Sequence, residues 1–179
     1  MCLAIGQILR QPEGRNVIAS EIEYDTRTNQ QHNRDAIVPA TFLSHGTLGV
    51  RDINKTRRFY EEFFGIECVQ HNNIAFCFRL NTNNRVVCVQ TRRPLEMDMM
   101  THWGLDVGSE EEVDRAHANA LKHKDQYGIQ KIMPPANQHG VYSFFMQDLD
   151  NNWWEVQHPP EPDHTDWYFQ RGERPNEAP

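Results

Sequence analysis

A chain of 179 residues, 38% of them hydrophobic and 10% aromatic, has material for one domain with a real core. Its net charge of -7, with nine histidines counted as neutral, gives no basic footprint for nucleic acid and no polybasic patch for an anionic membrane. No stretch reaches the ~18 apolar residues of a membrane span, and the apolar run at residues 1–6 is too short for a signal peptide, so a cytoplasmic protein is expected.

The four cysteines, Cys2, Cys68, Cys77 and Cys88, form no CxxC pair, and a chain this long does not need disulfides, so they read as reduced, mostly core-packing thiols. Residues 1–41 are polar and irregular and read as an arm, with a short edge strand within residues 17–24. From Phe42 the pattern strengthens. Leu43, Leu48 and Val50 suit a strand, Asp52 can cap a helix carrying Ile53, Thr56, Phe59, Tyr60, Phe63 and Phe64, and Gly65 ends it. Strands follow over residues 67–70, 74–80 and 85–91, with Asn-rich turns between them.

After a linker over residues 92–100 the same order begins again. Residues 102–107 form a strand, Ser109 is an N-cap with Glu112 in capping-box register, and Val113, Ala116, Ala120 and Leu121 give the buried stripe of a second helix. Strands over residues 128–133, 142–147 and 153–157 complete the copy, with a Pro-Pro loop over 134–140. Residues 84–90 align with 151–157 at an offset of 67, while His45 aligns with His102 at 57. The chain is thus an internal β-α-β-β-β repeat, about 42–91 and 101–158, within a domain over 42–158, followed by a tail over 159–179.

Alternate side chains of a strand share a face. His45 and Thr47 therefore point opposite to Leu48 and Val50, His102 opposite to Trp103 and Leu105, and Glu155 opposite to Trp154 and Val156. A carboxylate flanked by large apolar residues needs a cation. Two imidazoles and a carboxylate on three strands could converge on a divalent metal with positions left open for water, substrate or dioxygen; Fe(II), Mn(II), Zn(II), Co(II) and Ni(II) all suit such a set.

The His-x-Thr-Leu-x-Val strand at 45–50, the Arg58–Gly65 helix end, the His102 strand and the Phe-x-x-Asp-x-Asp-Asn-Asn-x-x-Glu ending at 145–155 resemble the vicinal oxygen chelate superfamily. That group includes glyoxalase I, methylmalonyl-CoA epimerase, fosfomycin-resistance thiol transferases, bleomycin-binding proteins and extradiol dioxygenases. The resemblance implies an α+β fold of two βαβββ modules forming a cup, with His45, His102 and Glu155 as metal ligands. It also implies a small-molecule substrate and a homodimer, with the cup built within one chain or across two. A fourth family ligand falls near Cys88, read either as a small hydrophobe or as a soft ligand.

Of the reactions the family spans, a non-haem Fe(II) extradiol-type dioxygenase acting on a small aromatic or enediol substrate is the first expectation. His139 and Tyr142 are its candidates for proton handling. Two departures weigh against it: Phe145 stands where ring-cleaving enzymes carry a tyrosine, and the strand over 86–89 lacks their histidine. The alternative is a dioxygen-independent lyase, epimerase or thiol transferase using the metal as Lewis acid, with Thr47 matching a threonine of the fosfomycin enzymes. A small-molecule-sequestering binding protein is the third class.

Overall fold

The computed structural model describes residues 9–10, 16–17, 37, 44–80, 85–93, 96–138 and 140–159. The chain divides into two compact units, Met1–Leu43 and Ser44–Pro179. In the first, β1 (Leu9–Arg10) pairs antiparallel with β2 (Asn16–Val17). Of the strand expected over 17–24, only Val17 lies among the described residues. The tail beyond residue 159 and Cys2 lie outside them too.

The second unit carries the repeat. Its first module runs β3 (His45–Val50), α1 (Ile53–Phe63), β4 (Glu67–Asn72), β5 (Ala75–Arg79) and β6 (Arg85–Gln90). Its second runs β7 (His102–Asp106), α2 (Glu110–Lys122), α3 (Lys124–Tyr127), β8 (Lys131–Ile132), β9 (Ala136–Gln138), β10 (Val141–Gln147) and β11 (Trp153–His158). The first sheet has the order β3-β6-β5-β4 and the second β7-β11-β10-β8, with β9 also on β10. In each module the first and last strands pair in parallel and the others antiparallel. This is the expected α+β fold of two βαβββ modules.

Local chemistry sets both helix starts. Asp52 accepts from the backbone N–H of Asn54 and Lys55, and Ser109 Oγ accepts from Glu112 N–H. Glu112 in turn reaches back to the N–H of Gly108, which closes the capping box one residue early. Gly65, at φ +69°, takes the left-handed conformation that ends α1. The α2 stripe differs from expectation at one place. Val113 and Ala120 are buried but Leu121 is 55% exposed, because the helix settles with His117 edge-on to Phe144 and residue 121 turns away from that line. The expected Pro-Pro loop contains β9, and α3 fills a segment for which no helix was expected.

The helix-covered faces of the two sheets close on each other. Phe78 of β5 and Trp154 of β11 have ring centroids 5.9 Å apart. Each lies one or two strands in from its sheet's edge, so such a contact needs the sheets face to face rather than side by side. Phe59 and Tyr60 of α1 fill the gap against Tyr127 and Trp154. One core with Val50, Cys88, Val113, Phe144 and Met146 serves both modules. At the adjoining strand edges, a Cβ on Gly46 would overlap the outer edge of the Trp103 ring. Gly46→Ala is therefore expected to cost about 1–3 kcal/mol through overpacking, read as a lowered midpoint in urea unfolding followed by tryptophan fluorescence.

The turn over 148–152 fastens the modules together. Asp148 is fully buried and accepts from the Tyr60 hydroxyl at 2.8 Å, the Trp154 indole N–H at 3.0 Å, and the backbone N–H groups of Asp150 and Asn152. Asp150 accepts from Arg51 N–H at 2.7 Å and from the Thr56 hydroxyl. Burial, then the neighbouring Asp150 charge, push the Asp148 carboxyl up to about 6 against the pull of these donors. Among the described residues no helix is long and apolar enough to cross a membrane.

Candidate metal centre

With the helix sides turned inward, the opposite faces of the sheets point away from each other. On the second sheet that face carries His102 and Gly104 of β7, Trp153 and Glu155 of β11, and Ser143, Phe145 and Gln147 of β10. The register sets them in rungs: Gly104 pairs with Glu155 and Glu155 with Phe145, while His102 pairs with Trp153 and Trp153 with Gln147.

His102 Nε2 lies 3.3 Å from Glu155 Oε2, with the side chains 28% and 16% exposed. His102 Nδ1 lies 2.8 Å from the Met99 carbonyl oxygen. A carbonyl only accepts, so Nδ1 carries a proton, and in a neutral ring Nε2 then presents its lone pair to the carboxylate. Two acceptors facing each other at this distance require a positive charge, either a second ring proton or a metal ion. The donor set thus fits a divalent cation, with Met99 orienting the ring as an outer partner.

Phe145 stands edge-on to His102 at 5.0 Å and gives the pair an apolar wall. The Trp153 indole N–H donates to the Met97 carbonyl at 2.9 Å, so the linker holds two residues of this face. Ser143, one rung beyond Phe145 on the same side, is 1% exposed with its hydroxyl unpaired. Sequence reasoning missed Ser143, although strand parity with Phe145 and Glu155 was available to find it.

His45 and Thr47 occupy the corresponding face of the first sheet and are exposed; His45 Nδ1 lies 2.8 Å from Ser44 Oγ. That face diverges from the one carrying Glu155. Among the described residues no three of His, Cys, Asp and Glu gather closely enough to hold an ion. The structure brings together His102 and Glu155 and leaves His45 and Thr47 apart from them.

Cys88 is not the counterpart of Glu155. Two residues on from each histidine, Gly104 pairs with Glu155 and Thr47 pairs with Val87, so the equivalent position in the first module is Val87. Cys88 pairs with Leu48 on the helix side, is 0% exposed, and burial pushes its thiol well above the ordinary range. It packs as a small hydrophobe. The described cysteines Cys68, Cys77 and Cys88 are all free.

Tyr142 pairs with His158 rather than with Glu155, and its hydroxyl donates to Asp114 of α2 at 2.7 Å. The hydrogen bond to Asp114, with burial, raises the phenol above its usual value. The phenol is directed to the helix side, away from the face of His102, for the same reason of parity. His139 lies outside the described residues.

Solved structures share this architecture. A possible glyoxalase from Bacillus cereus matches with a TM-score of 0.54 at 24% identity, covering 65% of this chain and 98% of its own. A glyoxalase-related enzyme from Fulvimarina pelagi matches at 0.53 and 24%, covering 66% and 88%. The fosfomycin resistance protein FosX from Mesorhizobium loti matches at 0.52 and 22%, covering 69% and 96%. At these identities the likeness is one of fold. No curated protein matches the sequence. The family model described as Glyoxalase/Bleomycin resistance protein/Dioxygenase superfamily matches residues 42–156, and the chain belongs to that superfamily.

Proposed function

We propose that the chain is a metal-dependent enzyme acting on a small substrate that presents two neighbouring oxygens, with His102 and Glu155 as two ligands and His45 of a second copy as the third. The observation that carries this reading is the His102–Glu155 pair. Met99 holds the ring with Nε2 toward the carboxylate, so that a divalent cation would be gripped by both groups. Because the two cup-lining faces of one chain diverge, a homodimer is the assembly in which a His45 face could meet a His102 face.

Extradiol-type dioxygenation of an aromatic or enediol substrate is the first reading, with Fe(II) as the metal. A bound ion would neutralise the substrate oxygens and, as Fe(II), supply electrons for dioxygen. The protein's own part would be to bind the ring against Phe145 and Trp153 and to hold water away from that apolar wall. Proton transfer rests on His139, proposed from its sequence position before β10.

The second reading, Lewis-acid chemistry without dioxygen, is favoured by Thr47, which shares the exposed face of His45 and would enter the same cup. Metal analysis of protein purified without added metal, with oxygen uptake followed on a panel of catechols, separates the two. Iron with uptake is expected; zinc or manganese with no uptake would overturn the dioxygenase reading.

A further inference from the structure

A cleft of about 470 Å³ lies at the seam between the modules, and none of His45, His102 and Glu155 lines it. One wall is the start of α1, with Arg51, Lys55 and Arg58; the other is Gln126 and Gln130, with the turn at Leu149 and Asp150 as floor. Lys55 and Arg58, three residues apart in α1, share a side of the helix, and Arg51 stands just before its Asp52 cap on the same cleft. In a chain of net charge -7, this is a local concentration of positive charge.

The two carboxylates of the wall, Asp52 and Asp150, offset part of that charge, but their oxygens are engaged within the fold. Asp52 is spent on the backbone N–H groups of Asn54 and Lys55, and Asp150 on Arg51 N–H and the Thr56 hydroxyl. Arg58 binds Glu62 through Nε alone, which leaves its terminal nitrogens as donors. The Arg51 side chain makes one long hydrogen bond, 3.5 Å to the Leu149 carbonyl, and its charge also acts on the Asp150 carboxylate. No hydrogen bond or ion pair engages the Lys55 ammonium among the described residues. The Gln126 side chain meets His123 at 2.8 Å through its carbonyl oxygen, so its amide N–H groups are free to donate.

We propose that this cleft binds a small phosphate-bearing anion, its phosphate oxygens taking hydrogen bonds from Arg51, Lys55 and Arg58. The volume suits a phosphorylated metabolite of modest size, and guanidinium and ammonium donors along one wall of the cleft are the groups that bind phosphate oxygens. The site stands apart from the metal centre and does not depend on it.

The test is a titration of the full chain with inorganic phosphate at constant ionic strength, followed by backbone amide chemical shifts. Saturable shifts confined to residues 51–58 and 126–130 are expected, and Lys55→Glu should weaken binding about tenfold or more. Lys55 is exposed and lies in the first turn of a capped helix, where an acidic residue is favourable, so the variant should fold; Lys122→Glu, at an exposed site outside the cleft, should bind as the unaltered chain does. Shifts that fail to saturate, that fall on His102 and its neighbours instead, or that Lys55→Glu leaves unchanged would overturn the proposal.

Discussion

Replacing Asp148 with alanine is expected to cost the fold about 4 kcal/mol, measured by urea unfolding of the variant beside the unaltered chain. The substitution strands the Trp154 indole N–H, the Tyr60 hydroxyl and two backbone N–H groups in the centre of the core, where none can reach water. A loss below about 1 kcal/mol would mean that the turn relaxes to satisfy them.

The same carboxyl should write an unusual sign into the pH dependence. Its value is raised to about 6 in the fold, above its value in the unfolded chain. Its contribution is therefore fully present below pH ~4 and is lost as pH rises through about 6, a decline of roughly 3 kcal/mol for a shift of this size. Ordinary paired carboxylates act the other way. Asp148→Ala should remove the decline, so the gap between the two proteins narrows from pH 5 to pH 8.

The second large effect concerns how many chains would build the proposed metal centre. His45→Ala and His102→Ala, each alone, are expected to lose bound metal and at least a hundredfold in activity, about 3 kcal/mol of transition-state stabilisation. Co-expressed, they should recover about a quarter of the unaltered activity, since half of randomly paired dimers are mixed and each mixed dimer has one intact cup of two. No recovery on mixing, with mixed dimers demonstrated by mass, would mean that each chain assembles its own centre.

Much of this architecture is legible in the sequence because its signals are local. Asp52, Ser109 and Gly65 mark helix ends through bonds and dihedral angles made within a few residues. The alternation around His102 and Glu155 fixes their common face as soon as the strands are accepted. What escapes is set by pairing across the chain. The offset of 67 that matched the ends of the two copies put Cys88 opposite Glu155. The parallel ladders put Val87 there, and a slip of one residue in a strand exchanges its faces.

Tyr142 is misjudged for a related reason. Its nearness in sequence to the expected loop says nothing of parity, which sends it to Asp114. Leu121 looks like part of a helical stripe until the angle at which α2 settles on β10 is known. The divergence of the two cup-lining faces has no local signature at all, since it follows from Tyr60, Phe78 and Trp154 meeting in space.

That sandwich of helix-covered faces separates two events by kinetic order. One chain completes its own core, so folding of the second unit is unimolecular, whereas a cup that draws His45 from a neighbour forms in a bimolecular step. In the two-copy reading, dilution empties the metal centres while the modules stay folded. The amount of chain in the cell then becomes a control on activity in its own right, steeper than the number of folded molecules.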